Sequence, residues 1–279
     1  MSEIPLHEAK RYVQPLREGG SLPAVVDTHE GGLFVVKFRG AGQGAKVLIS
    51  ELIVGGLAMR LGLPTPGLAL VDVSSRFGRS EPDPEIQELL RRSHGTNVGL
   101  RYLEGAFNFE PSAAGELISP EFAAQTVWLD AFTTNPDRTH RNPNLLIWQR
   151  TPWLIDHGAA LYAHHDWPAV DDERTRSPFT LIRSHVLLAV AGVLADADAV
   201  SVERLAGSAI ADVVATVPDD LLMDSVEGAG DFPSAEAARA RYVRYLTERL
   251  AARRIWLAAA EAAQEQLRVE APQHLKARR

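Results

Sequence analysis

The sequence predicts an α+β fold in two lobes: a small N-terminal antiparallel sheet carrying one helix, then a mainly helical remainder. Three observations predict it. The apolar periodicity runs strand, strand, helix, strand up to about residue 73. Helical patterning dominates from Ser119 onward. Two short apolar runs, Leu145-Leu146-Ile147-Trp148 and Trp153-Leu154-Ile155, interrupt that helical part as a hairpin. The division is expected near Gly105, giving lobes over 1–105 and 106–279.

Taken in order, residues 10–38 read as short strands. Ala24-Val25-Val26-Asp27 and Leu33-Phe34-Val35-Val36-Lys37-Phe38 flank a turn at Glu30-Gly31-Gly32, a hairpin signal. A glycine-rich bend from Gly40 to Gly44 opens into a helical pattern over about 45–61. It stops at Gly62 with Pro64 beyond, the glycine-then-proline exit of a helix. Leu68 to Val73 reads as another strand. Residues 74–96 are polar and broken by Gly78, Pro82 and Pro84, an excursion with one short helix near 84–92. Asn97 to Glu104 reads as a strand leading to the linker. Ser119 is placed to cap a helix with Pro120 at its first position, running to about Thr134. A loop from Asn135 to Pro143 precedes the hairpin. Beyond Tyr162 a polar segment reaches Pro178. The remainder is helical, ending in a long amphipathic stretch over 234–269. There Tyr242, Val243, Leu246, Leu250, Trp256 and Leu257 make a core-facing stripe.

The 279 residues, 46% of them apolar, supply a sizeable core. With 29 basic and 36 acidic residues the net charge is −7, which argues against a protein that coats nucleic acid. The absence of cysteine excludes disulfides, thiolate metal sites and a cysteine nucleophile. The polar start Met1-Ser2-Glu3-Ile4-Pro5 is unlike a signal peptide, and no apolar run reaches the roughly 18–20 residues of a membrane span. A cytoplasmic protein without a membrane partner is expected.

The chemistry concentrates after the helix that begins at Ser119. Asp137 and Asn142 sit five residues apart, and Asp156-His157-Gly158 closes the second strand of the hairpin. Phosphoryl transfer needs a carboxylate beside the attacking hydroxyl and oxygen ligands for magnesium. The Asp-to-Asn spacing is that of the catalytic aspartate and metal-binding asparagine in kinase catalytic loops. A hairpin returns the chain so that Asp156 can face the same metal. Upstream, Lys37 lies in an apolar strand and must aim its ammonium at something polar. Glu51, 14 residues on, is the only acidic residue of an apolar helix. In kinases such a lysine contacts nucleotide phosphates and pairs with such a glutamate. Gly19-Gly20-Ser21 could fold over the phosphates with exposed backbone amides, or form an ordinary turn.

The segments LFVVKF, ISELIVGGLAMRLGLPTP, DRTHRNPNLLI and LIDHGAALY resemble the HipA-like kinase family and, more distantly, the phosphatidylinositol kinases, whose catalytic loop also begins Asp-Arg. The resemblance covers about 17–165. It implies a protein-kinase-like fold and ATP with magnesium. Lys37 would lie on the phosphates with Glu51 as its partner, Asp137 would be the catalytic base, and Asn142 and Asp156 would be metal ligands. Asn135-Pro136 stand where protein kinases carry His-Arg, and Asn144 is a second candidate ligand beside Asn142. The HipA likeness implies a protein serine or threonine as acceptor. The lipid-kinase likeness implies a headgroup, for which no membrane-binding segment stands out, and a small-molecule hydroxyl stays open. The chain is shorter than full-length HipA toxins, so an antitoxin partner is not implied.

Other readings compete. A nucleotide-binding pseudokinase serving as an interaction module would keep the same residues without turnover. Gly40-Ala41-Gly42-Gln43-Gly44-Ala45 matches a dinucleotide fingerprint, but the acidic residue expected about 20 positions on is missing. His157, His164 and His165 lack a helical metal-binding pair and are expected in a solvated segment, where Thr175 and Ser177 are candidate phosphorylation sites. His140 and Arg141 either contact phosphate or brace the loop, and Asp130 is expected to brace it from the preceding helix.

Overall fold

The computed structural model describes residues 3–16, 22–42, 44–79, 81–224 and 231–276. Its first part is a barrel of five strands: β1 (Leu6–Pro15), β2 (Ala24–Thr28), β3 (Gly32–Lys37), β4 (Leu68–Val73) and β5 (Gly95–Arg101). The order around the barrel is β1-β2-β3-β5-β4, closed. A small antiparallel sheet was expected; the strands instead close into a barrel in which one pairing, β1 with β4, is parallel. β1 runs antiparallel to β2 with two register breaks, and its first residues pair parallel with β4 (Leu6↔Leu70, His7↔Val71). The breaks bend β1 so that one strand serves two neighbours, and closure leaves no strand edge open.

Alternate residues of these strands fill the barrel: Ala24 and Val26, Phe34 and Val36, Ala69, Val71 and Val73. The β2–β3 turn forms where expected. Thr28 Oγ1 accepts from Gly31 N (3.1 Å) and donates to Gly32 O (3.0 Å). The helix α2 (Pro84–Arg92) is capped by Asp83, which accepts from Glu85 N and Ile86 N, and its Leu89 and Leu90 join the barrel core.

Helix α1 (Ala45–Arg60) lies outside the barrel and is buried along most of its length. Its end is set by Gly62 at φ +73°, a left-handed conformation that closes a helix at no cost only in glycine. Leu68, Val98 and Leu100 on the outer side of β4 and β5 share one core cluster with α1 and with most of the helices that follow. The only polar side chains buried along α1 are Ser50, which donates to Ala160 O (2.9 Å), and Glu51.

A short α3 (Ala114–Leu117) precedes α4 (Pro120–Thr133), where Ser119 caps the helix by accepting from Phe122 N (3.1 Å). Strands β6 (Phe107–Asn108), β7 (Leu145–Trp148) and β8 (Thr151–Leu154) form a second, antiparallel sheet. There follow α5 (Asp172–Thr175), α6 (Leu194–Arg204), α7 (Ala209–Val214), α8 (Asp219–Leu222), α9 (Ala235–Ala251) and α10 (Arg253–Lys276). Arg39, just past β3, reaches α8 and beyond to pair with Asp220 (3.0 Å) and Asp224 (2.7 Å).

Two expectations about the C-terminal part fail. The final helix is not continuous: it breaks at Ala252. The break lets Trp256 turn inward, where its ring meets Trp128 edge-on at 5.3 Å and its indole N–H donates to Arg249 O (3.1 Å), a carbonyl of the last turn of α9. The segment after Tyr162 is solvated only in part: Asp166, Asp171, Asp172 and Glu173 are exposed, but several of its side chains turn inward. His164 and Trp167 are buried because Tyr242 and Tyr245 of α9 pack on Trp167 at 5.1 and 5.6 Å, with the Tyr242 hydroxyl 3.1 Å from His164 Nδ1. Thr175 is buried too, and its hydroxyl donates to Asp171 O. The core stripe holds: Tyr242, Leu246 and Trp256 are buried, with Val243, Leu250 and Leu257 packed against them.

Candidate active site

The site is built where α4 ends and β8 ends. Helix α4 terminates at Thr134, a left-handed C-cap (φ +54°) whose N–H returns to Asp130 O. Asp130 is fully buried in the last turn. Its carboxylate accepts from Arg138 Nε (2.6 Å) and Asn135 Nδ2 (3.1 Å) and lies 2.9 Å from His185 Nε2. Burial alone would raise its pKa, but the Arg138 charge and the His185 bond outweigh that and hold it well below the carboxylate range. The expected brace is therefore present, with Arg138 as its far end.

Arg138 has no exposed surface. One of its terminal nitrogens, Nη1, donates to Asn144 O and, at 3.3 Å, to Ile155 O; the other lies 3.4 Å from His157 Nδ1. Ile155 N donates to Asn144 O (3.1 Å). The loop bearing Asn144 and the strand end bearing Asp156 are thus fastened to one guanidinium. Asn144 at φ +49° and Asp156 at φ +54°, next to the fastened Ile155, have left-handed backbones, conformations that persist only where surroundings enforce them.

Asp137, beside Arg138, turns its carboxylate the other way. Oδ2 accepts from Asn142 Nδ2 (2.7 Å) and Asn144 Nδ2 (3.1 Å), so both asparagines meet the same oxygen. A carboxylate can face only the NH₂ end of an amide, which leaves both amide carbonyl oxygens free to act as ligands. Oδ1 of Asp137 accepts no bond among the described residues. Asn135 Oδ1 accepts from Asp137 N and fixes the backbone.

The second cluster centres on Lys37 at the end of β3. Its Nζ lies 2.5 Å from Glu51 Oε1 and 2.5 Å from Asp156 Oδ1. Burial pushes the lysine pKa down, but the two carboxylates more than reverse it, so the ammonium stays charged. Burial raises Glu51 against the pull of Lys37, whereas Asp156, partly open to solvent, is lowered because Lys37 outweighs its burial. Among the described residues, Glu51 Oε2 is buried without a hydrogen-bond partner. His157 is neutral: burial and then the Arg138 charge bring it down to about 3. Gly158 admits α1 this closely, since a Cβ there would stand 2.6 Å from Val47 Cγ1.

The structure therefore brings Lys37, Glu51 and Asp156 together, and separately Asp137, Asn142 and Asn144. Gly19, Gly20 and Ser21 lie outside the described residues. Arg138, His185 and His157 were not foreseen as site residues. The adjacent Asp-Arg pair was the available signal, but a charged side chain in a polar loop reads as solvated. His140 and Arg141 do not brace the loop; both are exposed at the tip of a turn closed by Asn142 N to Thr139 O (3.1 Å). Gly40 and its neighbours follow a closed barrel, not the open parallel sheet of a dinucleotide fold. Among the described residues no cluster of three or more His, Asp or Glu is placed to hold a metal, and no helix is long and apolar enough to cross a membrane.

Comparison with known proteins adds the following. A crystal structure titled as that of a Helicobacter pylori proinflammatory kinase, CtkA, superposes with a TM-score of 0.51 over 94% of this chain and 99% of that one. At 14% identity the likeness is one of fold. No curated protein matches the chain. The model of the HipA-like kinases matches residues 10–174, more than half of the sequence, and the chain belongs to that family.

Proposed function

We propose that this kinase-type phosphotransferase moves the γ-phosphate of magnesium-bound ATP to the hydroxyl of a protein serine or threonine. The observation that carries the reading is the state of Asp137: one carboxylate oxygen is held by two asparagine amides while the other is free to accept a hydroxyl proton. The same Arg138 guanidinium ties the loop at Asn144 to Ile155, the residue before Asp156.

The residues suit the nucleotide. Asp156 and the amide oxygens of Asn142 and Asn144 are the hard oxygen donors that magnesium takes, and an ammonium held at 2.5 Å by two carboxylates is fixed to meet phosphate oxygens. Magnesium, when bound, would neutralise charge on the transferring phosphoryl group. On this reading Asp137 orients the acceptor hydroxyl and takes its proton, Asn142 and Asp156 hold the metal, and Glu51 fixes Lys37. The unpartnered Oε2 of Glu51 gives it spare capacity to follow the lysine as phosphate arrives. Residues 1–105 would hold the nucleotide and 106–279 the catalytic loop. Catalysis of this kind is positioning and charge neutralisation.

The test is transfer of label from γ-labelled ATP with magnesium, comparing the wild type with Asp137→Ala and Asp156→Ala. Transfer that falls about 10²–10⁴-fold in Asp137→Ala, and is lost in Asp156→Ala, supports the roles. ATP binding without transfer would make the chain a pseudokinase, and no binding would sink the reading.

A further inference from the structure

Two arginines beside the catalytic loop are left without partners. Arg141 sits at the exposed turn tip between Asp137 and Asn142, with exposed His140 next to it. Thr139 pairs antiparallel with His185, and Val186 N donates to Arg138 O (3.0 Å), which lays the 183–186 segment along the loop. His140 is close enough to His185 to help lower its pKa, after burial and other neighbours. Arg183 on that segment is exposed. Neither Arg141 nor Arg183 makes an ion pair or hydrogen bond among the described residues. Nearby arginines differ: Arg138 is spent on Asp130, Arg174 on Asp166 and Arg176 on Asp172. Leu181, two residues before Arg183, is 56% exposed.

We propose that Arg141 and Arg183 select the acceptor, a serine or threonine in a peptide with acidic residues flanking the hydroxyl. The inference rests on the phosphotransferase reading above. Unpaired cations on two segments that meet beside the Asp137 loop create a local positive field on a chain of net charge −7. Opposite charge raises the local concentration of an acceptor and sets its register, while like charge is rejected. The exposed Leu181 offers a peptide an apolar rest that a small anion would not use.

The experiment compares three serine peptides, with aspartates, alanines or lysines flanking the serine, against wild type and the double variant Arg141→Glu/Arg183→Glu. Label transfer and peptide binding by fluorescence anisotropy are both read. The wild type should favour the acidic over the neutral peptide by about 10-fold in kcat/KM, as two exposed pairs allow, with the preference shrinking at high salt. The double variant should favour the lysine peptide over the acidic one, with each rate read relative to the same protein's rate on the neutral peptide. A neutral or basic preference in wild type, or an acidic preference that survives the double variant, overturns the proposal. Acidic-peptide binding that depends on both arginines, with no label transferred, would keep the surface and overturn the phosphotransferase reading instead.

Discussion

Arg138 Nε lies 2.6 Å from Asp130 Oδ2, and neither side chain has any exposed surface. Breaking a buried pair from one side leaves a buried charge uncompensated. Arg138→Leu should therefore destabilise the protein by about 3–5 kcal/mol, measured by urea unfolding. It should also slow label transfer in the fraction that stays folded, because Asn144 and Ile155 lose their common anchor. A variant that loses neither stability nor rate would show the pair to be incidental.

Lys37→Met removes the ammonium that Glu51 and Asp156 share. Affinity for magnesium-bound ATP, measured by titration calorimetry, should fall more than about tenfold, the loss expected for a charge-assisted contact to phosphate. Glu51→Gln should weaken binding less, since Asp156 still holds the lysine. Equal effects of the two changes would contradict that division of roles.

Gly158→Ala places a methyl group 2.6 Å from Val47 Cγ1, a branched side chain on α1 that cannot swing away. The expected cost is about 1–3 kcal/mol from overpacking. Val47→Ala should recover much of it in a double-mutant cycle, because the clash is pairwise. Additive effects of the two changes would place the strain elsewhere.

His164 and His185 are buried and held neutral, both with pKa values lowered chiefly by burial. The unfolded chain takes up these protons as pH falls through about 6.5, while the native chain does not. Their contribution is complete above that pH and is lost as pH falls toward the folded values, at up to about 1.4 kcal/mol per pH unit for each group. The melting midpoint should drop between pH 7.5 and 5. His164→Gln, which can still bond Tyr242, should flatten that drop; parallel curves for variant and wild type would exclude His164 as a source.

Much of this architecture was legible because its signals are local. Ser119, Asp83 and Gly62 act within a turn of the helix ends they set, so α4, α2 and α1 fall where the sequence puts them. Lys37 and Glu51 were visible for the opposite reason: each is a lone charge in an apolar run, and burial without a partner is too costly to persist. Arg138 escaped notice because its neighbours Asp137, Thr139 and His140 are polar. Its burial comes from Asp130, Asn144 and Ile155, which lie 6 to 17 residues away.

By itself the sequence determined β2 to β5, α1, α2, α4 and the β7–β8 hairpin, and it singled out the five charged or amide side chains of the proposed chemistry, since propensity, capping and the cost of burying charge act residue by residue. Only the tertiary structure decided the rest. The pairing of β1 with β4 closed the barrel, the aromatic face of α9 drew His164 and Trp167 inward, and the break at Ala252 let Trp256 pack on Trp128. Each depends on surfaces remote in sequence meeting, and a meeting of that kind is fixed by the packing of the whole chain.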